Sequence, residues 1–281
     1  MDYFEKYIKY KTKYIKYKQS QLGGCGSSVA TEISIFKDEI AKKLGKYDIK
    51  LLESDGKLNI ISIKSDKQNK PNLVMLAGFS HKSFMNSSNI IIKHIDELLE
   101  KFNIYLIQYA SYASEQSKAC KIRDEKKLDD KTLYDSEIKL NDKISIDINS
   151  IIKNNLKLDN VHLLGKCAGG GIMIHLLEKD SIYKALYLAV PASPTDISYL
   201  KNIDKKRLNK IKFIFGWSVQ DHYQFHWNRI SCDEKVIYDK RMKEMGIENY
   251  IPLMEDKKVN PHTKDFHEIP DLLIETIVKN M

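Results

Sequence analysis

The stretch Val161-His162-Leu163-Leu164-Gly165-Lys166-Cys167-Ala168-Gly169-Gly170-Gly171 constrains this chain more than any other. Val161–Leu164 reads as a strand, Gly-x-Cys-x-Gly as a tight turn, and Ile172–Leu177 as a helix. Glycines two positions before and two after a central residue let the backbones of strand and helix approach each other. Gly165 and Gly169 hold those positions. Cys167 then stands on a sharp strand-to-helix turn, at a helix N-terminus whose dipole and free N–H groups favour a thiolate.

The elements on either side of this turn alternate. The amphipathic segment Ile33–Leu44 stops at Gly45. Tyr47–Glu53 and Leu58–Lys64 read as strands joined through Asp55-Gly56, a hairpin signal. Leu73–Ala77 is the kind of short apolar run expected of a strand buried on both faces. Helix Asn89–Lys101, strand Ile104–Tyr109, a polar surface insertion Ala110–Asp135 and helix Ile144–Asn154 lead to the Cys167 turn. Strands Ala185–Val190 and Ile211–Phe215, a helical stretch through Lys240–Met245, strand Tyr250–Met254 and helix Ile269–Lys279 follow. A hairpin followed by β-α-β units predicts an α/β fold, a mainly parallel sheet with helices on both faces and an antiparallel hairpin at its start. There is no internal repeat, so residues 29–281 read as one domain behind a leader, residues 1–28. The active site of such a sheet belongs at the carboxyl ends of its strands.

The residues placed there are reactive. Asp221 follows the strand ending at Phe215, and His267 lies between the last strand and the last helix. Nucleophile, acid and histidine thus occur in the chain order of a hydrolytic triad built on a strand–turn–helix nucleophile. Asp196 competes with Asp221 for the acid's place, and His262 with His267. The backbone N–H of Ala168 is one oxyanion donor; the second should come from Gly78-Phe79-Ser80-His81, after the strand ending at Ala77, with Phe79 or Ser80 donating. Cys120 and Cys232 read as small buried apolar residues. His222 and His226 are four residues apart but lack a third metal ligand at suitable spacing. Gly169–Gly171 is not followed by the Lys-Ser/Thr of a phosphate loop. His94, His162 and His175 fall inside regular elements and receive no role.

Over roughly residues 47–281 the chain resembles the α/β-hydrolase superfamily, and its Gly-x-Cys-x-Gly turn looks like that of the dienelactone-hydrolase type. That resemblance implies Cys167 as nucleophile, His267 as general base and acid, and Asp221 as the group orienting the imidazole. It implies cleavage of an ester, thioester or lactone-type acyl bond through an acyl-enzyme, with no metal or organic cofactor. Ser80, His81, His222 and Tyr223, with the Ala110–Asp135 insertion, are then candidate substrate contacts. The competing expectation is an inactive protein that keeps the hydrolase fold for a structural or interaction role.

Charge adds a statement about location. Of the net +8, half lies in residues 1–22, where six Lys face Asp2 and Glu5. The rest of the chain is close to balanced, so nucleic acid is not expected as a partner. Tyr3, Tyr7, Tyr10, Tyr14 and Tyr17 form a seam spaced 4, 3, 4, 3, ended by Gly23-Gly24. A helix of this kind suits a membrane surface or an apolar protein partner. It also resembles the Tyr/Lys-rich N-terminal segments of giant DNA virus (mimivirus-type) proteins, which implies a viral protein carried on a particle. No run reaches the roughly 18 apolar residues of a membrane helix. Four Cys without a C-x-x-C pair, and no secretory signal, suggest reduced thiols and an intracellular setting.

Overall fold

Two heptapeptides rich in branched apolar residues begin the sheet. Strands β1 (Asp48–Ser54) and β2 (Leu58–Lys64) pair antiparallel from Asp48 opposite Lys64 to Ser54 opposite Leu58. The structure is a computed structural model that describes residues 48–54, 58–64, 69–76, 93–109, 112, 115, 130–191, 196–218, 231–255 and 269–281. The chain divides into two units, Met1–Gly45 and Lys46–Met281. The first, with the leader and the Ile33–Leu44 segment, lies outside the described residues.

Six more strands complete the sheet: β3 (Asn72–Leu76), β4 (Asn103–Gln108), β5 (Val161–Lys166), β6 (Tyr183–Ala189), β7 (Lys212–Ser218) and β8 (Tyr250–Glu255). Their spatial order is β1-β2-β4-β3-β5-β6-β7-β8. β2 pairs antiparallel with β4, and every pair from β4 to β8 is parallel. β3 and β5 are buried along their whole length, as central parallel strands covered on both faces must be. β8 is half-exposed and closes the far edge, where Pro252 costs no ladder bond to a further strand.

The helices sort onto two faces. Helix α1 (Ile95–Lys101) precedes β4. Helix α2 (Asp130–Ser150) continues into a π-turn (Ile151–Asn155), and helix α3 (Ala168–Lys179) follows β5. A 3-10 turn (Asp196–Asn202) and the short α4 (Lys205–Leu208) join β6 to β7, α5 (Ser231–Glu244) joins β7 to β8, and α6 (Asp271–Lys279) ends the chain. Phe213, Phe215 and Trp217 of β7 share one core with Leu163, Leu186, Leu188, Ile144, Ile148, Met173 and Leu177, the face of α2, α3 and α5. Between them Gly216 turns to the other face, where an added Cβ would be 3.1 Å from Leu273 Cβ of α6. α6 also packs on α1.

Element boundaries depart from expectation at three places for physical reasons. α3 begins at Ala168, four residues before Ile172, so three successive poor helix formers sit in its first turns. β7 runs on through Gly216-Trp217-Ser218, because β8 pairs with it as far as Glu255. The segment Ala110–Asp135 is not wholly a polar surface insertion. Asp130–Asp135 opens α2, and Tyr112 is buried, with its hydroxyl donating to the Asp147 carboxylate. Among the described residues no helix is long and apolar enough to cross a membrane.

Candidate active site at the carboxyl end of the sheet

Cys167 sits between the last residue of β5 and the first of α3, with φ 50° and ψ −123°. That conformation lies outside every region an L residue readily occupies and costs about 1–3 kcal/mol. The surroundings hold it in place. Its N–H donates to the Ala189 carbonyl of β6 at 3.0 Å, and its own carbonyl accepts from Gly170 N–H at 2.9 Å. Beneath it the strand and helix touch through bare backbone: a Cβ on Gly165 would be 2.7 Å from both the Gly169 carbonyl oxygen and Gly170 Cα. Gly165 is therefore required by close approach, and Gly169 and Gly170 supply the surface it approaches.

The thiol is almost fully covered, at 4% exposure, and belongs to no disulfide among the described residues. Burial alone raises a thiol's pKa, and a cation or a helix N-terminus lowers it. A helix N-terminus is present here. Ala168 is the first residue of α3, so its N–H has no carbonyl one turn back within the helix. Lys166, the residue before Cys167, is only 7% exposed. Sequence reasoning passed over Lys166; the available signal was a charged residue inside an otherwise apolar strand. It also passed over Val190, whose φ of 41° is an outlier for a β-branched residue. Val190 follows the last residue of β6, and its N–H donates to the Gly216 carbonyl at 2.8 Å.

The register brings the strand ends level with Cys167. Leu76 lies opposite Gly165, Lys166 opposite Ala189, Ala189 opposite Gly216 and Gly216 opposite Leu253. β3 thus ends at Leu76 beside the turn, three residues before Phe79 in the sequence. β7 ends at Ser218, three residues before Asp221, and His267 falls between β8 and α6. Phe79, Ser80, His81, Asp221, His222, Tyr223, His262 and His267 themselves lie outside the described residues, as does the side chain of Asp196. Among the predicted site residues the structure therefore describes Gly165, Cys167, Ala168 and Gly169. Among the described residues no three His, Cys, Asp or Glu gather as a metal site. Chemically, the described part offers a strained, buried thiol at a helix N-terminus with a backbone donor beside it, an arrangement suited to nucleophilic attack on a carbonyl.

Two other histidines pack inside the fold. His162, near the amino end of β5, holds Nδ1 2.8 Å from the Tyr187 hydroxyl and packs edge-on against Phe102. Burial, and then the charge of Lys212, lowers its pKa to about 4. His175, in α3, is fully buried against the Tyr199 ring with Nδ1 3.6 Å from the Asp142 carboxylate.

No protein-family model and no curated protein sequence matches the chain. Solved structures do match it. The Francisella virulence factor BioJ aligns with 92% of this chain and 96% of its own at 12% identity, TM-score 0.51. A sugar hydrolase (YeeB) from Lactococcus lactis covers 83% of this chain and 99% of its own at 14% identity, TM-score 0.51. A predicted CIB-like hydrolase from Thermoplasma acidophilum covers 83% and 97% at 14% identity, TM-score 0.50. At these identities the likeness is one of fold. Taken with the strand order, the antiparallel start and the strand–turn–helix at Cys167, it shows that the described residues adopt the α/β-hydrolase fold.

Proposed function

We propose that the chain is a hydrolase that cleaves an ester, thioester or lactone-type acyl bond through a Cys167–His267–Asp221 triad. The observation that carries the proposal is the backbone of Cys167. A non-glycine residue is held at φ 50°, ψ −123° on the tip of a turn, and such strain is retained chiefly where function uses it. The names of two of the fold neighbours, both hydrolases, agree with this.

In the first step the Cys167 thiolate attacks the acyl carbon, a C–S bond forms, and the carbonyl π pair moves to oxygen. Ala168 N–H and a donor at Phe79 or Ser80 stabilise that oxyanion. His267, protonated, gives its proton to the leaving oxygen or sulfur as the acyl–heteroatom bond breaks. The neutral imidazole, oriented by Asp221, then takes a proton from water while the water oxygen attacks the thioester. Collapse expels the Cys167 thiolate and releases the acid. The α3 N-terminus favours the thiolate throughout. Ser80, His81, His222 and Tyr223 contact the substrate, and the leader serves location or packaging on a membrane surface or protein partner.

Turnover of p-nitrophenyl acetate, p-nitrophenyl butyrate and a short acyl thioester by the full chain tests this. Cys167→Ala and His267→Ala should each lower kcat/KM by roughly 10³-fold. Unaltered turnover in Cys167→Ala would sink the proposal. So would an inert wild type whose Cys167 alkylates no faster than an ordinary thiol; the fold would then serve a structural role.

A further inference from the structure

The segment Ala189-Val190-Pro191 meets the Cys167 turn on both of its sides. One contact is with the peptide before Cys167, whose N–H donates to the Ala189 carbonyl at 3.0 Å. That carbonyl shares a peptide with the Val190 N–H, which donates to the Gly216 carbonyl at 2.8 Å. Gly216 is fixed in turn, in register with Leu253 of β8 and against Leu273 of α6. The Ala189–Val190 peptide is therefore gripped by β7, and it grips Cys167. The other contact is with the peptide after Cys167. The Cys167 carbonyl accepts from Gly170 N–H at 2.9 Å, and buried Pro191 lies against Gly170. A Cβ built on Gly170 would be 3.4 Å from Pro191 Cβ and 3.7 Å from Pro191 Cα.

The residue between these contacts has a backbone unsuited to its type. Val190 has φ 41° and is 1% exposed. A β-branched side chain disfavours the left-handed region, and a following proline biases a residue toward extended backbone. Both penalties fall on Val190, at a cost of about 1–3 kcal/mol. Extended backbone at residue 190 would continue the line of β6. The left-handed one bends the chain after Ala189, and Pro191 comes to rest on the first turn of α3. Cys167 at φ 50° and Val190 at φ 41° are thus coupled through one hydrogen-bonded peptide.

We infer that Val190 is a positioning residue: its left-handed backbone braces the peptides on both sides of Cys167 and so holds the thiol in its strained conformation. The inference rests on the proposed Cys167 chemistry for its catalytic consequence, but not for the brace itself. Two readouts separate these. The first is amide hydrogen exchange at Cys167 and Gly170, resolved by NMR in the folded full chain. The second is kcat and KM for p-nitrophenyl acetate, with the urea midpoint measured alongside. Val190→Pro keeps an apolar side chain of similar size, but fixes φ near about −65° and removes the N–H that bonds Gly216. It should speed exchange at Cys167 and Gly170 about tenfold relative to Leu73 and Val74 of β3, as local opening does. It should lower kcat about tenfold with KM within about twofold, as misplacement of one group does. Val190→Gly keeps the N–H, takes φ above zero without strain, and should recover most of both. Pro191→Gly is the second variant if Val190→Pro does not fold. It removes the Pro191 atom nearest Gly170, and should speed exchange at Gly170 and lower kcat in the same way.

Unchanged exchange at Cys167 and Gly170 in Val190→Pro overturns the brace, whatever the wild type turns over. Greater damage in Val190→Gly than in Val190→Pro also overturns it, because the side chain's packing would then be what matters. Faster exchange at an unchanged kcat overturns the positioning role. Faster exchange in Val190→Pro from a wild type that turns over no ester supports the brace and sinks the triad.

Discussion

The contact beneath Cys167 permits a paired test. In Gly165→Ala the new Cβ would lie 2.7 Å from the Gly169 carbonyl oxygen and from Gly170 Cα, and 2.9 Å from the Gly169 carbonyl carbon. Ordinary contact begins at 3.4 Å, which leaves the first turn of α3 short by 0.7 Å. Every obstructing atom is backbone, so no side chain can rotate away. Overpacking of this kind costs about 1–3 kcal/mol, and the upper part of that range applies here. For a domain of this size the loss should lower Tm by roughly 4–12 °C. The same retreat of α3 should slow iodoacetamide alkylation of Cys167, because the turn that presents it is displaced. Gly170→Ala is the control. Its Cβ meets only Leu188 Cδ2 and Pro191 Cβ at 3.4 Å, and a helical Gly→Ala gains up to about 1 kcal/mol. It should stay within about 1 kcal/mol of wild type. Thermal unfolding followed by circular dichroism, with alkylation rates measured by mass spectrometry, reads both effects. Equal stability and equal alkylation in the two variants would refute the close-approach explanation of Gly165.

The rest of the sheet supports two more expectations. His162 is held at a pKa of about 4 against an ordinary 6.5, mainly by burial. Between those values the unfolded chain binds a proton that the folded chain refuses, so stability falls as pH drops from 6.5 to 4, by up to about 3 kcal/mol. Urea midpoints across that range should show the slope in wild type and a flatter one in His162→Phe; parallel curves would contradict it. Arg207 donates to the carbonyls of Leu177 and Asp180 and, at 3.4 Å, of Glu178, at the end of α3. Arg207→Ala should cost about 2 kcal/mol by chemical denaturation, and Arg207→Lys should recover less than half, since an ammonium cannot fork across several carbonyls. A loss below about 0.5 kcal/mol in Arg207→Ala would count against the cap.

What the sequence made legible follows from which forces act locally. Leu73–Leu76 is an apolar run because parallel strands are covered on both sides, and that pattern is visible without a structure. Leu58–Lys64 matched the predicted strand at both ends, and it pairs with β1 along its whole length, from Ser54 opposite Leu58 to Asp48 opposite Lys64. The start of α3 was half legible: the turn put Cys167 at a helix N-terminus, whereas Gly169–Gly171, which oppose helix formation, left its first turn outside the predicted Ile172–Leu177. The crossover that puts β4 between β2 and β3 was not legible, being a long-range choice with no local signature. Buried Tyr112 and Lys166 were missed for a related reason. Polar tips hide in an otherwise apolar or polar string, and their burial is settled by neighbours distant in sequence. At the site, Gly-x-Cys-x-Gly was legible as a turn, whereas the φ and ψ of Cys167 and the outlier at Val190 emerge only from the packed sheet.

The most direct measurement is rapid quenching of the full chain with p-nitrophenyl acetate, followed by peptide mass spectrometry. The proposed chemistry predicts one acetyl group on the peptide containing Cys167. The adduct should form in a burst, be lost on further incubation, and be absent from Cys167→Ala. An acetyl group on another residue, or p-nitrophenol released with no adduct on Cys167, would contradict nucleophilic catalysis by this thiol.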